Sequence, residues 1–127
     1  MDKDGFPFAF PEQISKLMTE FEKGPLRQFT PCRFSSLKEV IKALAIVHTE
    51  LVLIHPFREG NGRVARMVAI LMALQAGLPP LDFSGITSQK KKKYIQAIHA
   101  GFKEDYKPME KIFESVIRKT LRARVRR

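Results

Sequence analysis

The stretch HPFREGNGR, residues 55–63, places a histidine, an acid, an asparagine between two glycines and an arginine within nine positions, and Arg66 follows three residues on. Its flanks decide how it is presented. Upstream, Ser36-Leu-Lys-Glu39 has the form of a capping box, and Leu37, Val40, Ile41, Leu44, Ile46, Val47, Leu51 and Ile54 then recur over a wide apolar surface. That pattern predicts a largely buried helix to about Ile54, stopped by Pro56. Downstream, a second strongly apolar helix is expected from near Gly62 to Gln75, ended by Gly77 and Pro79-Pro80. The motif therefore falls on the loop between two buried helices and on the first turn of the second.

That position has chemical consequences. The first turn of a helix offers unpaired N–H groups and a partial positive charge, which suit an anion. Gly60 and Gly62 let a phosphate approach the backbone closely, and Asn61 can donate to a phosphoryl oxygen. Arg63 and Arg66 share one helix face and can grip phosphate oxygens together. Glu59 can supply the carboxylate oxygen that Mg²⁺ needs when phosphates and waters provide its other ligands. His55 is placed to take a proton from an incoming hydroxyl. A plain glycine-rich turn has no use for the base, the acid and the paired arginines together.

The remaining segments also read as helical. Residues 5–10, GFPFAF, suggest a short edge strand or extended flap, with Pro7 barred from one pairing position. Pro11 suits a first helical position, with Ile14, Leu17, Met18 and Phe21 on one face and Gly24-Pro25 as the expected end. Thr87 or Ser88 would cap a helix whose inward set is Tyr94, Ile95, Ile98 and Phe102. Pro108 would open the last helix, turning Met109, Ile112, Phe113, Val116, Ile117 and Leu121 inward. The expected class is all-α with at most a small β-flap, and 127 residues without repeats or linkers suit one domain.

Composition narrows the setting. A hydrophobic share of 44% and a charged share of 28% place the chain among soluble globular proteins. An apolar run such as VAILMAL, residues 68–74, is too short to cross a bilayer, so no membrane role is expected. No signal peptide is visible at the start, and the lone Cys32, read as a small half-buried hydrophobe beside Pro31, suits a reducing compartment. The net charge of +10 comes largely from Lys90–Lys93 and from the tail 118–127, where six of ten residues are basic. Such runs favour anionic partners, or else are solvated helix faces complementing their own dipole.

HPFREGNGRVAR resembles the Fic family signature HPFx[D/E]GN[G/K]RxxR at every defined position. GFPFAFPEQISKLM, VHTELVLIHPF, YIQAI and DYKPMEKIF are similar to the flap and flanking helices of the family, so nearly the whole chain is covered. The resemblance implies a Fic-type helical bundle with a flap at about residues 3–10, a catalytic loop at 55–66 and a basic helix end at 118–127. It also implies a first flap strand ahead of Met1. Its implied activity is transfer of AMP from ATP to a Ser, Thr or Tyr hydroxyl of a target protein, releasing pyrophosphate. His55 would be the base, and Glu59 would hold Mg²⁺ between the α- and β-phosphates. Gly60, Asn61 and Gly62 would form the anion hole, with Arg63 near the β-phosphate and Arg66 at the γ-phosphate. Phe57 would anchor the loop from below. Phe6, Pro7 and Phe8 would clamp the target by strand addition, although these phenylalanines also suit a core. Tyr94 fits either a position near the adenine or the core set of its helix, while His48 and His99 read as structural.

Many members of the family carry an inhibitory helix, [S/T]xxxE[G/N], whose glutamate pairs with the second motif arginine. Here Ser35…Glu39 alone has that spacing, Val40 follows it, and the capping box already accounts for Glu39. Either a separate antitoxin supplies that helix, or a segment outside this sequence does, or the enzyme is unrestrained; the separate antitoxin is favoured, in a bacterial cytoplasm or after delivery into another cell. Two other readings stand beside AMP transfer. A Doc-like phosphotransfer is disfavoured by Gly62, where that branch has Lys, and other nucleotidyl transfers would use the same scaffold. A basic nucleic-acid-binding module would leave His55 and Glu59 without a role, and few aromatics interleave its basic runs.

Overall fold

The computed structural model describes residues 2–3, 6–7, 11–54, 60–86 and 91–125, with side chains placed for 12–54, 60–86 and 91–123. Along them run β1 (Asp2–Lys3), β2 (Phe6–Pro7), α1 (Pro11–Phe21), a π-helical turn (Glu22–Leu26), α2 (Arg27–Phe29), α3 (Leu37–Ile54), α4 (Asn61–Gln75), α5 (Lys91–Gly101) and α6 (Lys107–Val125). The fold is all-α, as the sequence suggests. β1 and β2 form a minimal antiparallel ladder, Asp2 opposite Pro7 and Lys3 opposite Phe6, while Phe8 lies outside the described residues.

Helix α3 is the hub. Its N-terminus is the expected capping box: Ser36 Oγ accepts the Glu39 N–H at 3.2 Å and donates to Glu39 Oε1 at 3.1 Å. Ala43, Leu44, Ala45 and Val47 are completely buried because α1, the π-helical turn, α4, α5 and α6 all pack around this helix. Leu37 in its first turn is nevertheless exposed, because the helix enters the core only from Val40 onward. Cys32 is fully rather than half buried, with its N–H on Gln75 Oε1 at 2.8 Å. Burial pushes its thiol pKa up, away from reactivity.

Three further expectations are corrected. Gly24-Pro25 does not end the first helix: the chain widens into the π-helical turn and continues as α2 to Phe29. A proline has no N–H and would strike the carbonyl four residues back in an α-helix, so a wider turn lets the helical path pass through it. Helix α4 is buried along one side, at Ala65, Ala69, Met72 and Ala73, while Val64, Met67, Leu71 and Leu74 are exposed on the other. It ends as expected, with Gly77 at φ 87° and the Leu78 N–H returning to the Ala73 carbonyl at 2.9 Å. Phe102 and Leu121, read as inward, are both exposed.

The last correction has a local cause. Ala97, Ile98 and Gly101 take the inward face of α5, and Phe102 falls in the turn after the helix. At Gly101 the backbone presses on α3 so tightly that a Cβ would lie 2.3 Å from Thr49 Cγ2. On α6 the inward place belongs to Thr120, whose hydroxyl accepts the Asp82 N–H at 2.9 Å and donates to the Val116 carbonyl at 2.8 Å. Gly101→Ala is therefore expected to destabilise the protein by about 1–3 kcal/mol through overpacking. Urea unfolding checks it: an unchanged midpoint would deny the close α3–α5 contact.

Candidate active site

Helix α3 ends at Ile54 and α4 begins at Asn61, so residues 55–60 connect two helices that pack on each other. His55, Phe57 and Glu59 lie outside the described residues. What is described is the receiving end of the site. Gly60 is the N-cap of α4 at φ 80° and ψ 10°, a left-handed conformation open to glycine and strained for residues with a Cβ. Its carbonyl accepts the Val64 N–H at 2.9 Å and closes the first turn. Among the described residues no side chain caps this terminus, and its first turn holds no acidic residue, which leaves its amide dipoles for an anion.

The two arginines reinforce that polarity. Arg63 is exposed, and its Nη2 lies 3.5 Å from where a Cβ on Gly60 would sit. Arg66 is half-buried, with Nη1 only 3.1 Å from the corresponding point on Gly62. Both guanidinium groups thus fold back over the glycines of the first turn; a Cβ at 62 would press on Arg66, whereas one at 60 would meet Arg63 in ordinary contact. Asn61 is buried at the base of the turn. The structure brings Gly60, Asn61, Gly62, Arg63 and Arg66 into one cradle.

Beneath the cradle is a contact that sequence reading did not find. His48, buried in α3, has Nδ1 3.3 Å from the Ala65 carbonyl and Nε2 2.6 Å from the Tyr94 hydroxyl. A carbonyl can only accept, so Nδ1 carries the proton, and the neutral ring's Nε2 accepts from the phenol. Burial, with the Arg66 charge adding to it, lowers the His48 pKa to about 4 against the opposing pull of the Ala65 hydrogen bond. Burial likewise pushes Tyr94 up to about 12, with Arg66 opposing. Tyr94 thus has its hydroxyl committed to the interior, and its ring also lies 5.7 Å from the imidazole. The signal available in sequence was a histidine on a buried helical face, which needs partners somewhere in the fold. His99 is exposed. Among the described residues no group of three or more His, Cys, Asp or Glu could hold a metal.

Two outcomes follow from this geometry. Gly60→Ala should lower stability by about 1 kcal/mol through backbone strain, read as a shifted denaturation midpoint; no shift would contradict the left-handed cap. The folded protein takes up the His48 proton near pH 4 and the unfolded chain near 6.5, so stability falls as pH drops through that window. The loss attributable to His48 is at most about 3 kcal/mol. Melting temperatures from pH 7 to 4 should decline less steeply in His48→Gln than in the parent protein, and parallel slopes would refute the assignment.

Comparison with known proteins places this geometry. The family model described as Fic/DOC family matches residues 1–73. The chain is similar to a protein adenylyltransferase Fic of Drosophila willistoni, 30% identical over 111 residues, covering 87% of this chain and 21% of that protein. Its similarity to the Culex quinquefasciatus protein of the same name is 32% over the same coverage. Among solved structures it resembles BepC, a VirB-translocated effector of Bartonella tribocorum with bound AMPPNP, at a TM-score of 0.74 and 33% identity. That match covers 91% of this chain and 54% of BepC, while the chain spans about a fifth of the length of the curated relatives. With the family model running through the motif and the same helical fold in BepC, the chain belongs to the Fic/DOC family.

Proposed function

We propose that this chain is a protein adenylyltransferase domain, moving AMP from ATP to a hydroxyl side chain of a target protein. One observation carries the reading: a glycine-capped helix terminus with no capping side chain among the described residues, over which Arg63 and Arg66 are both folded, directly after His55 and Glu59 in sequence. The names of the Drosophila and Culex relatives and the AMPPNP bound to BepC support it.

In this reading the amides of the first turn and Asn61 hold the α-phosphate, and Arg63 and Arg66 hold the β- and γ-phosphates of the leaving pyrophosphate. Phosphoryl-type transfer is catalysed mainly by positioning and charge neutralisation, which such a cradle supplies. His55 takes the proton of the attacking hydroxyl, and Phe6, Pro7 and Phe8 align the target segment by strand addition. Mg²⁺ would neutralise phosphate charge, with Glu59 as its carboxylate. That needs one protein oxygen rather than a dedicated cage, which suits Glu59, the residue immediately before Gly60 in sequence. Gly62 leaves room for the nucleotide where a lysine would obstruct it, and this favours AMP transfer over Doc-like phosphotransfer.

Regulation by a separate antitoxin belongs to the same proposal. Glu39 is held by Ser35 and Ser36 at the start of α3, so it serves as a cap. The exposed stripe Val64, Met67, Leu71 and Leu74 begins beside Arg63 and Arg66, and suits a partner helix that brings a carboxylate to Arg66. No helix of the described residues is long and apolar enough to cross a membrane. Action in a bacterial cytoplasm, or in another cell after delivery, is part of this reading.

ATP labelled at the α- or the γ-phosphate, incubated with Mg²⁺ and a bacterial lysate, tests it. Protein should acquire label from the α position, and His55→Ala should reduce transfer by at least ~100-fold without changing the melting temperature. Label arriving only from the γ position would make the chain a kinase, and undiminished transfer by His55→Ala would remove the base from its role.

A further inference from the structure

The two basic runs have no part in the transfer site. They are distant in sequence, yet the packing of α5 on α6 brings Lys93 of the first and Lys119 of the second onto one cleft. There, between the two helices and the turn at residues 82–86, lies a cavity of about 460 Å³. Ile86, Ile112 and Val116 form an apolar floor, while Lys93 from α5 and Lys111 and Lys119 from α6 contribute its cationic lining. None of Gly60, Asn61, Gly62, Arg63 or Arg66 lines it.

The walls are fixed by hydrogen bonds. The Asp82 N–H donates to Thr120 Oγ1 at 2.9 Å, Lys119 Nζ donates to Ser84 Oγ at 2.7 Å, and the Ile86 N–H closes the turn on the Phe83 carbonyl at 3.0 Å. The Asp82 carboxylate, also on the lining, accepts the Ser84 N–H at 2.9 Å within its own turn. Neither Lys93 nor Lys111 has an ion-pair partner among the described residues, and Glu114, three residues after Lys111 on α6, is paired with Arg118. A concave, apolar-floored space of this size is typical of small-molecule sites. Unpaired ammonium groups around it select for negative charge.

We propose that this cleft is a binding site for a small organic anion. Its aromatic or alkyl body would lie on Ile86, Ile112 and Val116, and its phosphate, sulfonate or carboxylate head among Lys93, Lys111 and Lys119. Charge alone would suit a nucleic acid, but an extended polyanion does not use a closed apolar floor, and a compact amphipathic anion does.

The test is an amide NMR titration of the full chain with anilinonaphthalene sulfonate, which has the proposed chemistry. Saturable shifts should centre on Gly85, Ile86, Gln96 and Ser115. The uncharged analogue N-phenylnaphthylamine should bind at least about tenfold more weakly, and so should the sulfonate to the K93Q/K111Q protein. Both substituted lysines are exposed, so the variant's amide spectrum should otherwise match the parent's. Shifts centred instead on Val64–Leu74 of α4, or equal affinity for the uncharged analogue or the double variant, would overturn the proposal. So would a mixed-sequence oligonucleotide that moves the same amides and displaces the dye at lower concentration.

Discussion

His48 has both ring nitrogens committed to other helices: the Ala65 carbonyl on α4 and the Tyr94 hydroxyl on α5. It stands on α3, so one neutral imidazole connects the three helices that carry or support the phosphate cradle. Ala65 immediately precedes Arg66, and the hydrogen bond therefore fixes the turn of α4 from which that guanidinium extends. The ring is also enclosed by Phe113 of α6, edge-on at 5.3 Å. Keeping such a group uncharged is the condition for burying it, because a buried imidazolium would meet the positive field of Arg66 without a compensating acid.

Above this support the cradle combines three sources of positive potential that need no rearrangement: uncapped amide dipoles, and two guanidinium groups drawn back across small residues. Glycine serves two distinct purposes within three positions. At 60 it permits the left-handed backbone that starts the helix; at 62, in ordinary helical geometry, it leaves the space that Arg66 occupies. The same economy recurs at Gly101, where absence of a side chain lets α5 settle on Thr49. Close approach of backbones thus sets both the interior and the site.

Much of this was legible because the information is local. The motif is contiguous, the capping box at Ser36–Glu39 announces α3, and Gly77 announces the end of α4. The misreadings arise where a distant contact decides. Pro25 would break an α-helix, but a π-helical turn accommodates it while Phe21 and Phe29 anchor either side in the core. Phe102 has the right spacing for an inward residue, yet the pressure of Gly101 on Thr49 sets the face of α5 and the helix ends before it. Leu121 gives way to Thr120 because the loop at Asp82 needs an acceptor. The His48–Tyr94 contact joins residues 46 apart and the lysine-lined cleft joins three segments, so neither has a periodicity to reveal it.

The account stands or falls on whether the uncapped turn of α4 receives the nucleotide's phosphates. Backbone amide resonances followed during titration with AMPPNP and Mg²⁺ measure this directly. The largest shifts should fall on the N–H groups of Asn61, Gly62 and Arg63, and should disappear when Arg63 and Arg66 are both replaced by alanine. Saturation of the protein with the nucleotide while those three amides stay in place would contradict it.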